Sequence, residues 1–383
     1  METDPLSSPS LDEPRQSVAL SVRTLRSRIA GLYHRYEKYA GIAIFGLGFI
    51  WDSLTMVRVD NLIDNIILLF YLIVIGTMII LILRRQCGKV PPKWIQRFEP
   101  RLLWAMQWCF GGLFSSYVIF YFKSASWTRT QFFFLVLVFL WVGNEFLPHR
   151  LENPELLSIL YCFCLFSFLA FFLPVVLAQV NARIFVLAGL ISLAVSLSIF
   201  SIGLLAGGQW RPRMPRIAAW ICFTFLAVNM LYFSNLIPPV PMALKSAGIY
   251  HQINRTSDGY VVRYVPPSVM RFWRKWDDPF YLSPGDNVYC YTAIFAPGRI
   301  RVPVRHVWSR KTAEGWVQID RIGFEIAGGR EGGYRGFTKK SGIGPGKWRV
   351  EVETERGQIL GQIDFTVVRS PTSNPPLKTL LIR

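Results

Sequence analysis

The stretch Asn235-Leu-Ile-Pro-Pro-Val-Pro-Met-Ala-Leu244 divides the chain into two physical regimes. Before it, long apolar runs follow one another with short gaps; after it, no apolar run is long enough to cross a bilayer. Pro238, Pro239 and Pro241 cannot continue a helix and hold the backbone extended. The stretch therefore reads as the exit from a last membrane span and a stiff lead into a separate domain.

Seven apolar runs precede it, at 39–57, 65–83, 102–122, 130–147, 156–177, 184–206 and 216–237. Each is near the ~20 residues that a helix needs to cross a bilayer core. A hydrophobic content of 52% and a mean hydropathy of +0.32 agree with a polytopic membrane protein. Residues 1–16 are polar and are expected to be disordered. Val18, Val22, Leu25, Ile29, Leu32 and Tyr36 then recur at spacings of three and four between basic residues. That pattern suits a helix lying on an anionic membrane face, or equally a packing helix in the cytoplasm. The first apolar run begins only near Tyr39, which argues against a cleavable signal peptide.

Positive charge sets the expected orientation. One set of flanks holds Arg23 to Lys38, then Arg84, Arg85, Lys89, Lys93, Arg97 and Arg101, then Arg150, then Arg211, Arg213 and Arg216. The opposite flanks hold Arg58, Lys123, Arg129 and Arg183. Seven spans with the basic flanks inside place the N-terminus in the cytoplasm and the C-terminal domain outside. The resulting plan is a cytoplasmic segment at 1–38, a transmembrane bundle at 39–237 and a proline-rich lead at 238–248. An extracytoplasmic β-sandwich follows at 249–369, then a tail at 370–383.

From Ile249 to Val368, short runs rich in Val, Ile, Tyr and Trp are separated by turns such as Ser257-Asp258-Gly259 and Gly344-Pro345-Gly346. Trp348, Val350 and Val352 share one strand face, with Arg349, Glu351 and Glu353 on the other. Seven or eight such strands suffice for an antiparallel sandwich of immunoglobulin type. Cys290, the one cysteine in this part, reads as a buried strand residue and cannot close a disulfide within the domain. No Cys/His spacing suits a metal, and no cofactor motif appears.

Two sets of residues are candidates for function. Ionisable and polar groups in or beside the spans are Asp52, Arg58, Asp60, Asp64, Asn144 and Glu145. Their plain account is pairing near span ends; the functional account is a relay or substrate path. In the C-terminal part, Gly328-Gly-Arg-Glu-Gly-Gly-Tyr-Arg-Gly336 is a Gly-rich turn holding Arg330 and Arg335, with Lys339 beyond and Arg305 on an earlier strand. Glycines beside arginines let backbone N–H groups approach an anion. The competing account is a hairpin whose glycines relieve backbone strain and whose arginines are solvated. The turn lacks nucleotide-loop spacing. His306, on the face of Val302, Val304 and Trp308, reads as a packed strand histidine, because no Ser or Cys nucleophile is placed with it.

These residues also carry a resemblance. The segments Gly48 to Asp60, Gly111 to Ser115, Asn144-Glu-Phe146 and Ile237 to Pro241 resemble a bacterial membrane-protein family. Arg305-His-Val-Trp308, Gly328-Gly-Arg330, Tyr334 to Lys339 and Pro345 to Trp348 resemble its C-terminal module, the domain of unknown function 2914. The resemblance implies a bacterial envelope protein and brings no catalytic residues with it.

The expectation is thus a non-enzymatic bacterial inner-membrane protein that displays a β-sandwich binding module. Its partners are membrane lipid and either an anionic envelope glycan or headgroup or another envelope protein, and not nucleic acid. The alternative is a transporter or membrane-embedded enzyme that uses the polar groups among the spans.

Overall fold

The computed structural model describes residues 50, 52, 61–88, 99–124, 131–146, 152–205, 210–238, 241–266, 274–297, 301–328, 333–370 and 376–382. Residues 1–55 form one compact unit, of which only Ile50 and Asp52 are described. Most of the first expected span, and the basic amphipathic segment before it, lie outside the described residues.

Among the described residues, the second unit opens with six helices: α1 (Leu62–Gln86), α2 (Glu99–Ser124), α3 (Gln131–Phe146), α4 (Pro154–Leu177), α5 (Ala182–Leu205) and α6 (Trp210–Phe233). Four of them, α1, α4, α5 and α6, are long and apolar enough to cross a membrane. The expected number of seven spans is therefore not reached among the described residues. Helix α3 is described over 16 residues and so does not reach span length among the described residues. In α2, Gln107, Ser115, Ser116 and Tyr117 dilute the apolar run.

Local chemistry sets the helix ends. Asn61 caps α1 by accepting from Ile63 N at 3.2 Å, and Asn153 caps α4 by accepting from Glu155 N at 2.9 Å with Pro154 following it. Asn181 accepts from Ile184 N at 2.9 Å at the start of α5. Helix α6 closes at Asn235, which adopts φ 56°. There Leu236 N reaches Leu231 O at 3.0 Å and Asn235 N reaches Tyr232 O at 3.1 Å. This is the paired bonding by which a left-handed residue ends a helix. The prolines then prevent it from restarting.

Small residues let the helices approach one another closely. Ala188, Ser192 and Ser196 of α5 are fully buried. A Cβ on Gly203 would sit 2.8 Å from Leu83, so α1 and α5 touch there through a glycine. The outer surface is apolar, with Phe139 73% and Met230 72% exposed. In water such a surface would be costly; in lipid it is the ordinary solvent-facing side.

Among the described residues eleven strands follow, more than the seven or eight expected. They are β1 (Ala243–Tyr250), β2 (Gln252–Thr256), β3 (Gly259–Tyr264), β4 (Phe280–Leu282), β5 (Val288–Phe295), β6 (Arg301–Thr312), β7 (Gly315–Ala327), β8 (Tyr334–Lys340), β9 (Gly346–Thr354), β10 (Ile359–Arg369) and β11 (Lys378–Ile382). They form sheets in the orders β1-β5-β8, β4-β10-β9-β6-β7 and β11-β3-β2. All the pairs are antiparallel except β4 with β10. The first two sheets share a core in which Ile249, Val288 and Cys290 meet Trp308, Trp348, Val350 and Phe365. Trp348, Val350 and Val352 point inward, as their alternation predicts. The third sheet covers the other face of β1-β5-β8 through Tyr250, Val262, Tyr264 and Tyr291.

Two expected boundaries move. Strand β1 begins inside the stretch read as a lead, because Ala243 to Gly248 find a partner in β5. The stretch read as a tail contributes β11, which pairs Lys378–Ile382 with β3.

Candidate functional site

The β region rests on one end of the helices. Val180, between α4 and α5, packs against the cluster of Met242, Ile294, Val302 and Leu360. Tyr232, at the end of α6, lies within hydrogen-bonding reach of Gln358 and beside Arg356, and α2 touches β1. The start of β1, the end of β5, the start of β6 and the β9–β10 turn therefore form the rim that faces the helices.

That rim is basic. Lys245, Arg301 and Arg356 are exposed on it, and Arg183 is exposed at the start of α5. None of the four has an ion pair among the described residues; Lys245 Nζ lies 5.3 Å from the centre of the Phe295 ring. Glu325 and Glu355 are exposed acids of the same rim, and Glu355 meets Arg305 at 3.8 Å.

The expected anion-binding residues occupy separate places. Arg305 lies on the outer face of the five-stranded sheet and also donates to Glu355 O at 3.5 Å. Arg335 starts β8 on the face under the third sheet, where its carbonyl accepts from Tyr260 Oη at 3.0 Å. Lys339 shares that face and is exposed, four residues and roughly 13 Å further from the rim. Arg330 lies outside the described residues. In the turn, Gly333 has φ 81°, and a Cβ there would meet the Ile294 backbone at 2.9 Å. That position requires glycine for the hairpin itself.

Of the polar groups expected among the spans, Arg58 and Asp60 lie outside the described residues. Asp52 is helical and half-buried. Asp64 is buried in the first turn of α1, where a carboxylate is favoured by the helix dipole. Glu145 is in the last turn of α3, and its side chain is outside the described part. Asn144 is buried and makes a reciprocal pair with Gln107. Its Nδ2 donates to Gln107 O at 3.0 Å, and Gln107 Nε2 donates to Asn144 O at 3.1 Å. This pair bolts α3 to α2 beside Gly111. Asn144 Oδ1 is buried without a hydrogen bond. The partners are 37 residues apart, so no local pattern announces them.

Two histidine clusters sit inside the β region. His306 is fully buried, with Nε2 3.0 Å from Thr292 Oγ1 and Nδ1 2.8 Å from Thr338 Oγ1, and Phe324 packs edge-on at 4.8 Å. Burial drives its pKa down to about 3, so the ring is neutral. Its packed strand role is as expected. His251, at the β1–β2 corner, was not singled out by sequence. Its Nδ1 is 2.8 Å from Asp277 Oδ2, its Nε2 is 3.0 Å from Tyr281 O, and its ring stacks on Phe280 at 4.0 Å. Asp277 Oδ1 accepts from Val265 N at 2.7 Å. Burial opposes the charged ring, but Asp277, the Tyr281 carbonyl and more distant Asp286 together hold its pKa above the ordinary value. Both clusters join strands inside the β region. Among the described residues, no group of three or more His, Cys, Asp or Glu could hold a metal.

Residues 302–367 match the family model described as "Protein of unknown function (DUF2914)". The match spans β6 to β10 and so covers most of the five-stranded sheet. No curated protein matches the chain. Among solved structures, Pseudomonas fluorescens alkylpurine DNA glycosylase AlkC, bound to DNA containing an abasic site analog, aligns over 82% of this chain and 99% of that one. The identity is 11% and the TM-score 0.18. A likeness that weak fixes neither fold nor function.

Proposed function

We propose that this chain is a bacterial inner-membrane protein that holds an immunoglobulin-like β-sandwich outside the cytoplasm as a binding module for an anionic envelope component. The observation that carries the reading is the opposition of the two ends of the helices. Arg84, Arg85, Arg213 and Arg216 crowd the end away from the β region, where Gln86 of α1 meets Arg213 of α6. Positive residues of this kind mark the cytoplasmic side of membrane proteins. The β region lies at the other end and is on this reading extracytoplasmic. The full reading restores seven spans, with α2, α3 and the run at 39–57 completing the four long apolar helices.

The rim bases Lys245, Arg301, Arg356 and Arg183 suit headgroups or acidic glycans that approach along the membrane surface, and Arg335 and Lys339 extend the basic surface along β8. A reporter enzyme fused beyond Ile382 is expected to be active only outside the cytoplasm; activity only inside overturns the topology. For the binding half, the full chain in detergent is expected to bind an acidic polysaccharide less tightly as salt rises. Arg301→Gln with Arg356→Gln should weaken that binding several-fold, and an unchanged affinity sinks the rim as the site.

A further inference from the structure

A second basic site lies at the opposite end of the helices. A cleft of about 280 Å³ is lined by Gln86, Asn153, Glu155, Arg213, Arg216 and Ile217. One of its arginines is held in place. Arg213 Nη1 donates to Gln86 Oε1 at 3.2 Å, and Gln86 Nε2 donates to Glu152 O at 2.8 Å. Arg216 meets Glu155 at a loose 3.7 Å, and its side chain remains 78% exposed. Asn153 is occupied in capping α4, so it shapes the wall without offering its carbonyl oxygen. Arg84 and Arg85 lie in the last turn of α1 beside Gln86.

The same face of α6 continues downward as an apolar track. Trp220 stands one turn below Arg216, and exposed Phe223 follows, its ring edge-on to the Trp220 ring at 5.8 Å. Guanidinium groups at the helix ends, an indole one turn lower and exposed apolar surface below them match a lipid molecule from headgroup to acyl chain. A free phosphate would use the arginines and leave the track without purpose.

We infer that this cleft between α1, α4 and α6 seats the phosphodiester headgroup of an anionic phospholipid, with an acyl chain along Trp220 and Phe223. Arg213 and Arg216 hold the phosphate, Gln86 aims Arg213, and Glu155 competes with the lipid for Arg216. The inference rests on the membrane-spanning reading of the helices and not on anion binding by the β region, so the two fail separately.

The test is native mass spectrometry of the full chain released from mixed nanodiscs, with phosphatidylglycerol as probe and phosphatidylcholine as reference. Each guanidinium near an anionic headgroup is worth about fivefold in affinity. R213Q/R216Q should therefore lose roughly twentyfold to thirtyfold in phosphatidylglycerol retention. R213K/R216K should keep most of it, and Glu155→Gln should raise it. Lys311→Gln, on an exposed position at the far end of β6, should leave it unchanged. Retention that survives R213Q/R216Q, or that falls only in Lys311→Gln, overturns the inference. Loss in both the Gln and Lys variants together with a lower melting temperature makes these arginines structural ties and also overturns it. Displacement of the lipid by inorganic phosphate at equal concentration assigns the cleft to a free anion instead.

Discussion

In the helices, Ser116, Ser158, Ser192 and Thr224 each return a hydroxyl to a carbonyl three or four residues back, at 2.6 to 2.9 Å. In the β region, His306 instead joins hydroxyls 14 and 32 residues away, and His251 reaches Asp277, 26 residues on. Ser158 and Thr224 satisfy their hydroxyls within one turn of their own helix. The β clusters exist only when several strands are in register. The hydroxyls that bond within their own turn are thus separable, while the β-region clusters stand or fall together.

The largest expected effect comes from the charged cluster. Asp277→Ala removes the partner of a buried histidine and the acceptor of Val265 N–H, and should cost about 3–5 kcal/mol. Thermal unfolding of the detergent-solubilised chain, followed by the β-sheet circular dichroism signal, reads it. A loss below about 1 kcal/mol would put this pair on a level with solvent-exposed ones and erase the contrast.

Next, His306→Leu strands two buried hydroxyls, at about 1–3 kcal/mol for each group left unpaired. Adding Thr292→Val and Thr338→Val should recover part of that loss, because no polar group is then orphaned. Additive losses in the triple variant would mean that the cluster is not cooperative.

A third effect follows from pH, and the two histidines have opposite signs. The pKa of His306 is depressed in the fold, so the unfolded chain takes up a proton near 6.5 that the folded chain refuses until about 3. Its contribution therefore falls as the pH drops below 6.5. The pKa of His251 is raised in the fold, so its stabilisation is complete below the unfolded value and is lost as the pH rises through the folded one. Unfolding midpoints measured from pH 5 to 8 should lose acid sensitivity in His306→Gln and alkaline sensitivity in His251→Gln. Parallel pH curves for the two variants would contradict this.

The smallest effect belongs to the helices. Ser158→Ala removes a bond confined to its own turn and should shift stability by no more than about 0.5 kcal/mol. A loss as large as that of His306→Leu would show that the helical hydroxyls are collective after all.

The same contrast explains what could be read in advance. The helix end before Pro238, the inward face of Trp348, Val350 and Val352 and buried Cys290 all rest on local spacing, and each is found as expected. Strand β11 was missed because Lys378–Ile382 becomes a strand only by lying against β3. The Gln107–Asn144 and His251–Asp277 pairs were missed for the same reason, since their partners are remote in sequence. The basic residues were visible as a composition, but their distribution over separate sheet faces depends on register. Arg305 and the pair Arg335 and Lys339 look adjacent in a motif-level reading and belong to different sheets in space.

The link between α6 and β1 has a further consequence. Nine residues, Ser234 to Met242, join them, and even fully extended they would span only about 30 Å. Two of them, Ile237 and Met242, are anchored by burial, which shortens the usable leash further. With the helices in a bilayer, the sandwich would be confined to a thin layer immediately above the surface and could not search the wider compartment. Encounter with a partner would then be a two-dimensional problem, set by surface density and lateral diffusion rather than by bulk concentration. A ligand held in or against the same membrane would meet the module often even when its intrinsic affinity is weak.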